Sequence, residues 1–124
     1  MYNDKVLLIV DDSPVERQII KEAVKSLNFS QIIEAVNGES GIQLALEHKP
    51  DLILMDVVMP GINGYQATRQ ITSNEQLKGT PVIMCTTKNQ ETDKIWGARQ
   101  GASAYITKPI DKPLLLAEIE KLLK

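Results

Sequence analysis

The sequence predicts an α/β fold: a doubly wound, parallel sheet of five strands with helices on both faces. Three observations carry this. Lys5-Val6-Leu7-Leu8-Ile9-Val10, Leu52-Ile53-Leu54-Met55 and Val82-Ile83-Met84-Cys85 are apolar without polar alternation, as strands buried on both faces are. Strand-like and helix-like segments alternate through five βα units, which implies right-handed parallel connections. The runs also stop on residues that carry chemistry, at the carboxyl ends where open α/β sheets place their sites.

The first run ends on Asp11-Asp12. Ser13-Pro14-Val15-Glu16 then starts a helix, with Ser13 as N-cap, Pro14 in the first turn and Glu16 placed to close a capping box. That helix carries Val15, Ile19, Ile20, Ala23, Val24 and Leu27 on one broad face and ends near Asn28. Ile32 to Val36 is a short β-branched strand, and Asn37-Gly38 marks a turn. Glu39 to His48 spaces Ile42, Leu44, Ala45 and Leu46 as an amphipathic helix. Lys49-Pro50-Asp51 breaks it before the strand that ends on Asp56. Met59-Pro60-Gly61 then forces a turn, because proline lacks an N–H and glycine permits unusual dihedrals.

Gly64 to Ser73 reads as a helix offering Tyr65, Ala67, Thr68 and Ile71 for packing, and Ser73 to Thr80 as a polar loop. Pro81 to Cys85 is a buried strand running into Thr86-Thr87-Lys88. Gln90 to Gln100 is a helix stopped by Gly101. By spacing, Ile95 and Ala98 form its core face, and Trp96 stands at the border, placed equally for packing or partner contact. Ala104 to Thr107 is the last strand, ending on Lys108-Pro109. Asp111 caps a final helix carrying Leu114, Leu115, Leu116, Ile119, Leu122 and Leu123. The 124 residues make one domain, and Lys124 directly follows the last helix, so no attached output domain is expected.

Composition is that of a globular protein, with 43% hydrophobic and 24% charged residues and a formal net charge of −2. Neither sign dominates, which argues against nucleic-acid or membrane-surface binding. No apolar run approaches a membrane span and the amino terminus lacks a signal peptide, so a cytoplasmic location is expected. Cys85 is the single cysteine, and its apolar run makes it a buried structural thiol.

At the carboxyl ends the first strand contributes Asp11 and Asp12, the third Asp56, the fourth Thr86 and the fifth Lys108. In a doubly wound sheet these ends share one edge. Like charges 4 Å apart repel by roughly 4 kcal/mol at an effective dielectric near 20, so such a cluster needs a cation or a proton. All-oxygen ligands without His or Cys favour Mg²⁺ over zinc. A metal beside a nucleophilic Asp, a Lys ammonium and a Thr hydroxyl suits phosphoryl transfer. Taken singly, Asp11 or Asp12 reads equally well as a solvated strand-end acid.

The sequence resembles the response-regulator receiver domain, the chemotaxis-regulator-like (CheY-like) family. The matching pieces are Val10-Asp11-Asp12-Ser13, Leu54-Met55-Asp56-Val57-Val58-Met59-Pro60-Gly61, Cys85-Thr86-Thr87 and Tyr105-Ile106-Thr107-Lys108-Pro109. The resemblance implies a flavodoxin-like strand order of 2-1-3-4-5. It implies Asp56 as phospho-acceptor, and Asp12, Asp56 and the Val58 backbone carbonyl as Mg²⁺ ligands, with Asp11 acting largely through metal-bound water. Thr86 matches the hydroxyl that bonds the phosphoryl group, Lys108 the lysine that pairs with it, and Tyr105 the switch aromatic. By its residues alone, Tyr105 is an ordinary strand residue at the sheet edge. A narrower resemblance, carried by residues 61–70 and 86–101, is to the stand-alone (PilH-like) regulators of type IV pilus twitching motility, a chemotaxis-like pathway also used in phototaxis.

The function implied is a two-component phosphorelay in which a histidine kinase supplies the phosphoryl group to Asp56. The face of the fourth helix, fifth strand and fifth helix then changes its affinity for a downstream protein. The protein is expected as a monomer or weak dimer, and as no enzyme beyond its own Mg²⁺-dependent phosphorylation and dephosphorylation. A phosphate sink within the same pathway, or a non-phosphorylated interaction module, are the alternatives. A phosphatase with a nucleophilic Asp would need a second acid two residues later, and Val58 stands there. The Val58 side chain likewise has no polar group to position hydrolytic water.

Overall fold

The sheet has three central strands buried on both faces and two partly exposed edge strands. In the computed structural model, which describes residues 1–123, they are β1 (Val6–Val10), β2 (Gln31–Ala35), β3 (Leu52–Met55), β4 (Val82–Thr86) and β5 (Ala104–Thr107). The helices are α1 (Pro14–Val24), α2 (Gly38–His48), α3 (Gly64–Thr72), α4 (Glu91–Arg99) and α5 (Lys112–Leu122). All pairings are parallel, in the order β2-β1-β3-β4-β5, as expected. Every residue of β3 and β4 is buried.

Period-two alternation along the strands divides the core in two. Leu7, Ile9, Leu52, Leu54, Ile83 and Cys85 face α1 and α5, meeting Ile20, Ala23, Val24, Leu115 and Ile119. Leu8, Val10, Ile53, Met55, Val82 and Met84 face the other helices, meeting Ala45, Ala67 and Ile71. Burying each large aliphatic side chain contributes about 1.5–3 kcal/mol. Tyr65, Ala67, Thr68 and Ile71 of α3 are all buried, as their spacing predicts.

Several expectations fail in instructive ways. Val15 and Ile19 are exposed, because the buried stripe of α1 is narrower and runs through Ile20, Ala23 and Val24, with Leu27 buried in the 3₁₀ turn that follows. Leu114 is also exposed, one position ahead of the stripe set by Leu115 and Ile119. Asn37 is the N-cap of α2, in a reciprocal capping box with Ser40. The polar segment after α3 holds a single 3₁₀ turn, Glu75–Leu77, that buries Leu77 in the core.

The largest departure is α4. Ile95 and Ala98, placed on its core face by spacing, are exposed, and the buried residue is Gly97. A Cβ on Gly97 would stand 3.0 Å from Tyr105 Cδ2 and 3.1 Å from Met84 Sδ. The helix thus rests on the sheet through a residue with no side chain, and hydrophobic spacing finds side chains only. Ile95 and Trp96 are left about half exposed.

Candidate functional site

Each strand-end residue is pinned by one more backbone hydrogen bond beyond its strand. Asp11 N donates to Ala35 O (3.1 Å), Asp56 N to Val10 O (2.9 Å) and Lys108 N to Thr86 O (2.8 Å). Asp11, Asp56, Thr86 and Lys108 therefore inherit the rigidity of the sheet. The loop after Asp56 closes through Gly64 N donating to Val57 O (2.9 Å). A Cβ on Gly64 would collide with the Asp56 carbonyl, so this turn requires glycine.

The topology brings these side chains together. Lys108 Nζ lies 2.7 Å from Asp11 Oδ2, 3.4 Å from Glu16 Oε1 and 3.6 Å from Asp56 Oδ2, with the ammonium arm only 7% exposed. Asp11 Oδ1 accepts from Ser13 N (2.9 Å), and Asp56 Oδ1 from Val57 N (2.8 Å). Carboxylate oxygens of Asp11, Asp12 and Asp56 all lie within 4.8 Å of one another. Asp11 and Asp56 are buried and Asp12 is exposed, so the cluster opens to solvent on the Asp12 side. Three acids facing one ammonium leave a surplus of negative charge, and the all-oxygen donor set fits a hard divalent cation.

Burial pushes the Asp56 carboxyl above its ordinary value and the Asp11 charge adds to this. The Lys108 ammonium, the Val57 N–H and the Thr86 hydroxyl act in the opposite direction without cancelling it. Burial alone would lower Lys108, but its hydrogen bond to Asp11 and the charges of Asp56, Asp11 and Glu16 outweigh that and raise it. The ammonium is held charged by its surroundings.

Thr86 is fully buried, its hydroxyl accepting from Lys88 N (3.3 Å). Val58 sits in the loop two residues past Asp56 with its side chain in solvent. Tyr105 is half-buried and already turned beneath the segment joining β4 to α4, where its hydroxyl donates to Lys88 O (2.9 Å). It lies 3.4 Å from the hydroxyl of Tyr65.

Sequence reasoning missed Glu16, Arg17 and Tyr65. Ser13 caps α1 by accepting from Glu16 N (3.2 Å), but Glu16 turns its carboxylate to Lys108 and leaves the expected capping box open. The ammonium is the stronger partner. Arg17 donates to the Asp11 carbonyl (2.7 Å) while paired with Glu34 (2.8 Å), which ties α1 to the strand end. The only sequence signal for either was proximity to the acid pair.

Cys85 lies within this electrostatic field but takes no part in it. It is 1% exposed, and burial, with Asp56 and Asp11 adding to it and Lys108 opposing, pushes its thiol up to about 12. Iodoacetamide at pH 8 is expected to leave the native protein unmodified and to alkylate Cys85 once it is denatured, as read by intact mass. Stoichiometric alkylation of the native protein would contradict this burial.

Comparison with known proteins agrees with the fold. The family described as response regulator receiver domain matches residues 7–120. The chain is 51% identical over 117 residues to "Protein PilH" of Pseudomonas aeruginosa, covering 94% of this chain and 96% of that one. It is 37% identical over 119 residues to "Chemotaxis protein CheY" of Halobacterium salinarum, covering 96% and 97%. Several other curated relatives are longer, and the chain spans about half their length. Among solved structures, a putative response regulator from Chloroflexus aurantiacus superposes with a TM-score of 0.90 at 28% identity, covering 96% of this chain and 97% of that one.

Proposed function

The chain belongs to the response-regulator receiver-domain family, and on that premise we propose that Asp56 takes a phosphoryl group from a histidine kinase and that the α4-β5-α5 face passes the signal on. The observation that carries this is the Lys108 ammonium bridging Asp11, Glu16 and Asp56 beside an opening lined by Asp12. Asp56 is the nucleophile. Its carboxylate oxygen bonds to phosphorus as the bond from phosphorus to the donor nitrogen breaks, and the electron pair leaves on that nitrogen.

Asp11, Asp12 and Asp56, with the Val58 backbone carbonyl, would hold Mg²⁺. The ion would supply charge neutralisation on the transferring oxygens. Lys108 contributes the other positive charge, and its 3.6 Å contact with Asp56 supports its pairing with a phosphoryl group on that residue. The Thr86 hydroxyl stands at the end of the adjacent strand and donates to the same group. Phosphorylation adds about −1.5 to −2 charges. The added charge draws Thr86 and Lys108 toward Asp56 and favours the position of Tyr105 beneath the β4–α4 segment. The exposed Ile95 of α4 makes that face suitable for a protein partner, whereas Trp96 lines a groove shared with Tyr65, Gln66 and Arg69 of α3.

The similarity to PilH supports a place in a type IV pilus, chemotaxis-like pathway in the cytoplasm, with the protein acting as a signalling component and not on an outside substrate. Val58 brings no polar side chain to the site, so hydrolysis of the acyl phosphate has no help from that position. A slowly hydrolysed acyl phosphate suits an output carrier, and phosphotransfer profiling against the organism's own kinases separates that role from a phosphate sink. The direct test is incubation with phosphoramidate and Mg²⁺. A single phosphoryl group on the Asp56 peptide is expected, and is lost when EDTA replaces Mg²⁺. Absence of label with Mg²⁺ would leave the protein an interaction module only.

A further inference from the structure

We propose that Tyr65 is a positioning residue for Tyr105, its hydroxyl anchoring that ring beneath the β4–α4 segment. This rests on the reading of Tyr105 as a mobile aromatic and goes further by naming what holds it in place.

Tyr65 stands in the first turn of α3, 8% exposed, with its ring in the core layer that contains Met84 and Val57. Its hydroxyl is 3.2 Å from the Asp93 carbonyl of α4 and 3.4 Å from the Tyr105 hydroxyl. Tyr105 in turn is 2.9 Å from the Lys88 carbonyl. The protons can be counted. Each phenol has one proton to give, and the two carbonyls only accept. Tyr105 gives its proton to Lys88 O, its shorter contact, so its oxygen accepts from Tyr65. Tyr65 shares its proton between Tyr105 and Asp93 O. The result is a chain from α3 through β5 to the loop that follows Thr86, and such chains strengthen cooperatively.

The chain discriminates between positions of Tyr105. If the Tyr105 ring swings into solvent, Tyr65 keeps Asp93 O but loses Tyr105. The Tyr65 hydroxyl therefore favours the docked ring and does nothing for the released one. The slot for that ring is lined by Gly97 and Met84, and a Cβ at position 97 would crowd the Tyr105 ring at 3.0 Å. Burial raises both phenols above their ordinary value, so both remain proton donors at neutral pH. If Tyr65 were only a core residue satisfied by Asp93 O, its hydroxyl would matter equally whether or not Tyr105 had one.

The test is a double-mutant cycle of Tyr65→Phe and Tyr105→Phe, read as the affinity of the Mg²⁺-loaded protein for beryllofluoride, a phosphoryl mimic. Binding equilibria are used because coupling between two sites is reciprocal there. Tyr65→Phe keeps the ring and its packing, and thermal unfolding of each variant checks the fold. Loss of one hydrogen bond that favours the docked state is expected to weaken beryllofluoride about threefold, within a range of roughly two- to tenfold. In the Tyr105→Phe background the same substitution is expected to change nothing. In the metal-free protein, ¹³C ring signals of Tyr105 are expected to move toward solvent-exposed values in Tyr65→Phe. Effects that simply add overturn this proposal alone, as does an unaltered affinity in Tyr65→Phe. A Tyr105→Phe variant that binds like wild type overturns the mobile aromatic and this proposal with it. A wild type that never binds beryllofluoride overturns the phospho-acceptor reading from which both descend.

Discussion

Asp56→Asn is expected to abolish labelling by phosphoramidate while leaving the fold at least as stable. The amide keeps the shape and still accepts from the Val57 N–H, now through its carbonyl oxygen. It lacks the anionic oxygen that attacks phosphorus, so the reaction loses its nucleophile and not merely a fraction of its rate. Stability follows from the sign of the carboxyl's shift. A folded-state value raised above the unfolded one means that the native state binds more protons across the interval between them. The metal-free wild type therefore loses stability as pH rises from the ordinary aspartate range through that raised value. Asn has no such interval. In EDTA at neutral pH the variant is expected to unfold at an equal or higher temperature, and denaturant melts across pH 4–8 should lack the wild-type decline. Labelling of Asp56→Asn to the wild-type extent would place the acceptor elsewhere.

The residues that made this site legible are those that interrupt an apolar run. Asp11, Asp56 and Thr86 each follow strand residues that are almost wholly buried, and a polar group at such a point needs a reason; Lys108 closes the half-buried edge strand β5. Alternation of strands and helices supplied the rest, because it placed all four on one edge. Glu16 was hidden for a different cause. Its local sequence offers a sufficient local role, the capping box, and nothing in a linear pattern shows that an ammonium 92 positions later competes for the same carboxylate. Tyr65 was counted as core, which it is; its hydroxyl acts across three elements that spacing does not relate. The α4 face failed because its contact with the sheet is a glycine, and a missing side chain leaves no hydrophobic period.

Lys108→Met tests the electrostatic argument from the opposite side. The substitution keeps much of the aliphatic arm and removes the one cation paired with the carboxylates of Asp11, Glu16 and Asp56 among the described residues. Removing one partner from a buried ion pair costs about 3–5 kcal/mol. The lower end applies here, since the cluster opens to water beside Asp12 and Asp56 can take a proton. A loss of about 3 kcal/mol in EDTA, near 10 °C in melting temperature for a chain of this size, is expected. Because Lys108 is raised in the folded state, its stabilisation is complete at neutral pH and fades only as pH climbs through that raised value. Wild type and variant should thus converge in strongly alkaline buffer. Mg²⁺ gives the sharper contrast. Ammonium and metal neutralise the same carboxylates, so removing the ammonium leaves more uncompensated charge for the metal. A ligand that binds only the native state stabilises by about 2.7 kcal/mol at one hundred times its dissociation constant. The increment from a fixed Mg²⁺ concentration is expected to be larger in Lys108→Met than in wild type, narrowing the gap between their melting temperatures. Equal melting temperatures in EDTA would show that Lys108 does not hold this cluster together. A smaller Mg²⁺ increment in the variant would show that lysine and metal do not share these acids.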